Sequence, residues 1–253
     1  MLLEGKTAVI YGGGGSIGGA CARAFAREGA KVFLCGRTPE TLEEVAEEIR
    51  SAGGTAETAI VDALDEEAVD RHADEVVGEA GRIDVSMNVI THPHTHGTPL
   101  VELAVADYMA PIEVAARTTF ITSKAAGRRM IEQGSGAILF FGGPGDRSGP
   151  DRAYLLGATQ AAFDLIESFR RRLSIELGPH GVRVVTLESG GVPDSLPDME
   201  RGQEIVELIE GQTLLGRAAT LEDVGNTAAF AASDWARSMT AATINVSAGA
   251  LID

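Results

Sequence analysis

Apolar positions along the chain switch between two periods. Thr7–Tyr11 is a short continuous apolar run of strand character. After a glycine-rich stretch, Ile17, Ala20, Cys21, Ala24 and Phe25 recur at i, i+3, i+4, i+7 and i+8, one face of a helix, and Gly29 ends it as a C-cap. Lys31–Cys35 predicts the second strand. Thr38-Pro39 then caps a helix whose Leu42, Val45, Ala46 and Ile49 share a face. Ala59–Val61 predicts a third strand, Glu66–Ala80 a polar helix and Ile83–Ile90 a fourth strand. A long helix is expected over about Asp107–Gln133, where Pro111 is tolerable only in the first turn. Ala137–Phe141, Val182–Leu187 and Thr243–Val246 complete seven predicted strands, with a helix from about Gln160 to Leu177 among them.

Strands alternating with helices imply a parallel sheet covered on both faces. No Pro/Ser-rich linker, repeat or low-complexity block divides the 253 residues. The chain therefore reads as one three-layer, doubly wound α/β domain. Ligands of such domains bind outside the carboxyl ends of the strands, near the switch point.

The glycines gain a role from this placement. Tyr11-Gly12-Gly13-Gly14-Gly15-Ser16-Ile17-Gly18 joins the first strand to the first helix, and Gly13, Gly15 and Gly18 satisfy Gly-x-Gly-x-x-Gly. A strand, a tight turn and a helix N-terminus form an anion site. Exposed backbone N–H groups and the helix dipole favour a pyrophosphate, and side chains would block its approach. A merely flexible turn is the alternative.

Composition narrows the partners. The formal charge of −16 argues against nucleic acid and anionic membrane, which need basic surface. No apolar run approaches the ~18–20 residues of a membrane span. Cys21 and Cys35 fall on a helix face and at a strand end and read as reduced core residues. The N-terminus enters a strand almost at once, without a signal-peptide pattern. A cytoplasmic location is the expectation.

The glycine segment resembles the Thr-Gly-x-x-x-Gly-Ile-Gly opening of the short-chain dehydrogenases/reductases, with Ser16 as the middle residue. Ser at that place is also similar to the divergent enoyl reductases of the superfamily. The resemblance spans nearly the whole chain. Asp62-Ala63 looks like the family's adenine-contacting Asp-Val, and Ile83–Asn88 like the strand leading into its Asn-Asn-Ala-Gly. Glu176–Val184, Gly216-Arg217 through Val224, and Ile244-Asn245-Val246 are similar to its later segments. The resemblance implies a Rossmann fold with a seven-stranded parallel sheet and a nicotinamide dinucleotide. The residues it places on that cofactor are Gly12, Gly15, Ser16, Ile17, Gly18, Arg37, Asp62, Ala63, Asn88, Gly190 and Val192. It also implies a small-molecule substrate, a substrate lid at about residues 191–215 and a homo-oligomer, a tetramer or dimer built through the two long helices.

NAD-preferring folds place Asp or Glu at the end of the second strand. Here the segment is Cys35-Gly36-Arg37-Thr38, and Arg37 can pair bidentately with a 2′-phosphate. NADP is the expected cofactor. NAD is the alternative, if Arg37 only stacks on adenine.

The family's catalytic groups are harder to find. Its members use a Tyr acid, a Lys four residues later that lowers the Tyr pKa and holds the ribose, a Ser and an Asn. The Ser position falls in Phe140-Phe141-Gly142-Gly143, on glycine, with Ser148 in the next loop; the Asn position falls on Ala115. Asn-Asn-Ala-Gly has become Asn88-Val89-Ile90-Thr91. Tyr154 is the Tyr candidate, but four residues on is Ala158. Matching Gln160 to the Lys makes its partner Leu156, and counting back from Gly178 gives Phe163 instead. An unassisted phenol with pKa near 10 is only ~10⁻³ ionised at neutral pH. As an acid in reduction it is already in the right form. Reduction of a carbonyl or enone is therefore the expected direction, with Tyr154 as acid and Gln160 as a ribose contact.

Thr91-His92-Pro93-His94-Thr95-His96-Gly97 follows the fourth strand. Alternate residues of an extended segment share a side, so His92, His94 and His96 can point together. His92 or His94 is a candidate substitute acid or substrate contact. No metal is expected, because no carboxylate or cysteine completes a ligand set; a solvated loop is the plain alternative. His72 and His180 read as surface residues. The acidic lid residues, Asp194, Asp198, Glu200, Glu204, Glu207 and Glu210, read as the wet face of an amphipathic helix. Three functions stay open: an NADP-dependent reductase with a rebuilt proton-donor site, a cofactor-binding protein without redox activity, and a non-redox lyase or isomerase.

Overall fold

The structure is a computed structural model that describes residues 1–93, 98–142, 158–196 and 202–252. Among the described residues seven strands form one parallel sheet: β1 (Thr7–Tyr11), β2 (Lys31–Gly36), β3 (Thr55–Ile60), β4 (Val85–Asn88), β5 (Gly136–Gly142), β6 (Val182–Glu188) and β7 (Ala242–Asn245). Their spatial order is β3-β2-β1-β4-β5-β6-β7. The chain steps outward from β1 in one direction, then returns to β1's other side to add β4. The switch point therefore lies between β1 and β4, and a crevice opens there at the carboxyl ends.

Alternation along each strand sends side chains to two cores. Ala8, Ile10, Val32, Leu34, Val85, Met87 and Leu139 pack under α1 (Ser16–Arg27), α2 (Pro39–Ser51) and α7 (Leu221–Ala232). Val9, Tyr11, Phe33, Cys35, Ile138 and Phe140 face α3 (Glu66–Ala80), α4 (Val105–Gln133) and α5 (Ala158–Leu177). Each large apolar side chain sealed this way contributes about 1.5–3 kcal/mol. A short helix, α6 (Gly202–Glu210), follows β6; Ile209 packs where a Cβ on Gly191 would stand, 2.7 Å from its Cδ1.

Several boundaries differ from the sequence expectation. The third strand runs over Thr55–Ile60, not Ala59–Val61, because this edge strand buries Ala56 and leaves Thr55, Glu57 and Thr58 exposed, so it carries no apolar run. The fourth strand is shorter than Ile83–Ile90: Gln133 Oε1 accepts the Ile83 N–H at 2.9 Å, and Asn88 Oδ1 accepts the Ile90 N–H at 3.1 Å. These side chains replace ladder partners at both ends. The long helix begins at Val105, so Pro111 stands beyond its first turn, buried, and the helix continues past it.

His72 also departs from the sequence expectation. It is buried, not on the surface, because Val69, His72, Ala73 and Val76 form the apolar face of α3. Both cysteines are free and buried.

Candidate functional site

The glycine turn is held by its neighbours. Gly12 and Gly13 donate their N–H groups to Cys35 O at 2.8 and 3.1 Å, which ties the turn to the end of β2. Gly12 has φ +87°, and a Cβ there would stand 2.8 Å from Val89 O. A Cβ on Gly18 would overlap the carbonyl of Gly12. These positions are bare so that the turn can pack on itself and on β4. Gly15 differs. The nearest atom to a Cβ built on it is Gly12 O at 3.4 Å, an ordinary contact, and the residue lines a cleft of about 600 Å³. The protein itself leaves room for a side chain there.

The same place is rich in unclaimed donors. Gly15 is the N-cap of α1, no side chain caps this end, and the first turn holds no acidic residue. The first N–H groups of a helix have no carbonyl partner within it. Those of Ser16, Ile17 and Gly18 add to the positive end of the dipole. By contrast α2, α3, α4 and α7 each carry an acidic residue in the first turn.

From this turn the cleft extends over β2 and β3. Arg37 and Asp62 are exposed in its wall, with Thr38, Thr41, Ala63 and Leu64. Asp62 Oδ1 accepts the Leu64 N–H at 3.0 Å, which sets the turn after β3. Thr38, the N-cap of α2, makes no side-chain cap hydrogen bond. Cys35 lies beneath; burial pushes its thiol pKa up, and burial foremost raises that of the Tyr11 phenol well above its ordinary value. Both stay neutral.

On the other side the cleft reaches Val89, Ile90, Thr91, His92, Pro93, Val114 and Thr118. Asn88 does not line it. Buried, it donates from Nδ2 to Thr122 Oγ1 at 3.3 Å while its Oδ1 holds Ile90, so it positions the segment leaving β4. His92 is 7% exposed, and its ring lies 6.0 Å from that of Phe163. Phe163 packs above Gly142, with Cδ1 3.8 Å from a Cβ built there. One turn earlier on α5, Thr159 is fully buried. Ala115, where the resemblance puts an Asn, is a sealed core residue of α4.

The remaining expected residues are placed as follows. Gln160 donates from Nε2 to Asp164 Oδ1 at 2.9 Å, and its Oε1 is buried without a partner among the described residues. Gly190 and Val192 follow β6 outside the main cleft; Val192 is buried, and its carbonyl accepts from Ser195 Oγ at 2.7 Å. Tyr154, Ser148, His94, His96, Asp198 and Glu200 lie outside the described residues. Sequence reasoning missed Thr38, Thr41, Val114 and Thr118 as cleft residues. Val114 and Thr118 are one turn apart on α4, and only the sheet order brings that helix to the crevice.

Comparison with known proteins agrees with this geometry. The family model described as enoyl-(acyl carrier protein) reductase matches residues 13–250. Galactitol 2-dehydrogenase of Rhizobium johnstonii is 31% identical over 98% of this chain and 95% of its own. The short-chain reductase NovJ of Streptomyces niveus is 30% identical over 96% of this chain and 93% of its own. A solved structure of NAD⁺-bound xylitol dehydrogenase shares the fold, with a TM-score of 0.86 over 98% of this chain and 100% of that one, at 22% identity.

Proposed function

The chain belongs to the short-chain dehydrogenase/reductase family, and from that premise we propose that it is an NADP-dependent oxidoreductase that reduces a carbonyl or enone group of a small molecule. The observation that carries the cofactor reading is Arg37. It is exposed in the cleft wall at the end of β2, and Cys35–Thr38 holds no carboxylate to repel a 2′-phosphate. A guanidinium meets a phosphate through paired N–H groups.

The residues present fit such a group. Gly15 is bare toward the cleft without internal need, and the N–H groups of Ser16–Gly18 suit a diphosphate. Arg37 and Thr38 take the 2′-phosphate, Asp62 and Ala63 border the adenine, and Ile90 and Val114 supply apolar wall. Asn88 fixes the β4 exit on which that wall depends. Gly190 and Val192 belong to the lid side of the reading, the segment of about residues 191–215 that closes over substrate. When bound, NADP supplies the two-electron chemistry. Tyr154 supplies the proton, acting as a neutral acid, and Gln160 offers an amide to a hydroxyl. Val105, Met109 and Phe120 are exposed on α4, which suits the homo-oligomer that forms part of the same proposal.

One observation favours a second reading. α5 (Ala158–Leu177) carries neither Lys nor Tyr, which suits a chain that binds dinucleotide without turnover. One experiment tests both. NADPH and NADH are titrated by nucleotide fluorescence, since Trp235 is exposed, follows Asp234, whose carboxylate pairs with Lys6 just before β1, and reports poorly on the cleft. Nucleotide absorbance is then followed over a panel of carbonyls and enones. NADPH binding about tenfold tighter than NADH, with turnover, is the expected result. Equal affinities overturn the Arg37 argument, and tight binding with no turnover across the panel selects the second reading.

A further inference from the structure

The cleft has two arms that meet at the glycine turn. One passes over β2 and β3, where Arg37 and Asp62 stand. A diphosphate on the N-terminus of α1, with the ribose phosphate on Arg37, fills that arm with the adenosine half. The other half then has one direction left, over the carboxyl ends of β4 and β5.

Among the described residues that second arm is largely apolar. Val89, Ile90, Pro93 and Val114 line it beside Thr91, and the Thr118 hydroxyl is spent on Val114 O at 2.8 Å. α5 carries no lysine, and Phe163 fills the space above Gly142. What stands on Phe163 is an imidazole. His92 is more than nine-tenths buried, its ring tilted 59° to that of Phe163, and it lines the cleft. Its backbone leaves β4 two residues after Ile90, whose N–H Asn88 holds, so the ring is set from both ends. Packing against the tilted Phe163 ring restrains its plane, and an imidazole can donate or accept toward a sugar hydroxyl.

We infer that His92, seated on Phe163, holds the nicotinamide-riboside half of the dinucleotide, as a positioning contact that stands in for the missing cation. The assignment rests on the proposed dinucleotide reading. It also explains why an aromatic residue is acceptable on α5. Phe163 is the platform for the group that replaced the charge.

The test compares two ligands on the full chain. NADPH spans both arms, whereas adenosine 2′,5′-bisphosphate reaches only the first. Affinities are measured by calorimetry for the unmodified chain, His92→Ala and His92→Asn. The expected result is about tenfold weaker NADPH binding for His92→Ala, with bisphosphate binding unchanged within about twofold, and recovery to within about threefold for His92→Asn, which keeps a donor and an acceptor. Bisphosphate binding also certifies that each variant is folded. Unchanged NADPH affinity in His92→Ala overturns the assignment, and so does an equal loss of both ligands. An unmodified chain that binds neither ligand overturns the dinucleotide reading itself, and the His92 assignment with it.

Discussion

The thiol of Cys35 lies 3.5 Å from Nδ1 of His72, beneath the cleft and away from solvent. The imidazole also meets the Phe33 ring edge-on, with centroids 6.4 Å apart. Burial holds the His72 pKa below its ordinary 6.5, although Glu75 partly opposes the shift. The neutral ring is thus the folded form.

A stability dependence on pH follows. In the unfolded chain His72 takes up a proton near pH 6.5; in the folded chain it does so only at lower pH. The unfolded state therefore binds more protons in that window, and stability rises with pH through it. On acidification the loss begins near pH 6.5 and grows until the folded pKa is reached. Asp70 and Asp223, whose pKa values are lowered chiefly by hydrogen bonds from Arg129 and Arg217, add their loss only as pH falls from the ordinary carboxylate range downward. Thermal melts of the unmodified chain and His72→Gln between pH 7.5 and about 5.5 should differ in slope. The variant should melt lower at pH 7.5 but fall less on acidification; parallel curves would remove His72 as the cause.

The glycine turn makes a paired prediction. Gly18→Ala drives a Cβ into the Gly12 carbonyl, so the turn must shift or the variant unfolds early. Overpacking of this kind costs about 1–3 kcal/mol, which in a chain of this size lowers Tm by roughly 2–4 °C per kcal/mol. Gly15→Ala meets only an ordinary contact at 3.4 Å and has φ −83°. Its Tm should stay within about 2 °C of the parent, while dinucleotide affinity falls at least about tenfold. Calorimetry on both variants separates turn packing from ligand approach. Equal effects on the two properties would show that the two glycines do the same job.

The sequence carried most of this architecture because apolar periodicity and burial report the same thing. The face Leu42, Val45, Ala46, Ile49 is the buried face of α2, and Glu66–Ala80 is α3 to the residue. Where a strand is half wet, as at Thr55–Ile60, no run of apolar residues marks it. His72 reads as a surface residue by type alone, whereas its spacing from Val69, Ala73 and Val76 places it in the core. The cofactor turn was legible because backbone chemistry demands glycine. The second arm was not. Phe163 meets His92 across 71 residues of chain, and Asn88 works through Thr122 on another helix, pairings that no local pattern encodes.

On the proposed NADP reading, Arg37 sets the cofactor preference by charge. Arg37→Ala removes a charge-assisted contact of about 1.5–3 kcal/mol, so NADPH affinity should fall roughly ten- to hundredfold. NADH, which has no 2′-phosphate, should bind within about threefold of the parent. The parent's NADPH affinity should also weaken with added salt more steeply than its NADH affinity, because the contact is exposed and screened. Fluorescence titrations at two ionic strengths check both statements. A uniform loss for both nucleotides would place Arg37 on the adenine instead.

Asn88 ties the exit of β4 to α4 beside the second arm of the cleft. Its Nδ2 reaches Thr122 on α4 and its Oδ1 receives Ile90, the residue that carries the chain toward His92. Asn88→Ala removes both hydrogen bonds and leaves the part-buried Ile90 N–H unpaired, at a cost of about 1–3 kcal/mol. Asn88→Asp keeps the acceptor for Ile90 but loses the donor to Thr122, and it buries a charge. Both variants should melt lower than the parent. If Asn88 acts by placing the β4 exit, the alanine variant should lose NADPH affinity while retaining adenosine 2′,5′-bisphosphate, the same signature as His92→Ala, and the double variant should lose less than the sum of the two. Additive losses in that cycle would mean that the residues act independently and that the exit loop is held by something other than Asn88.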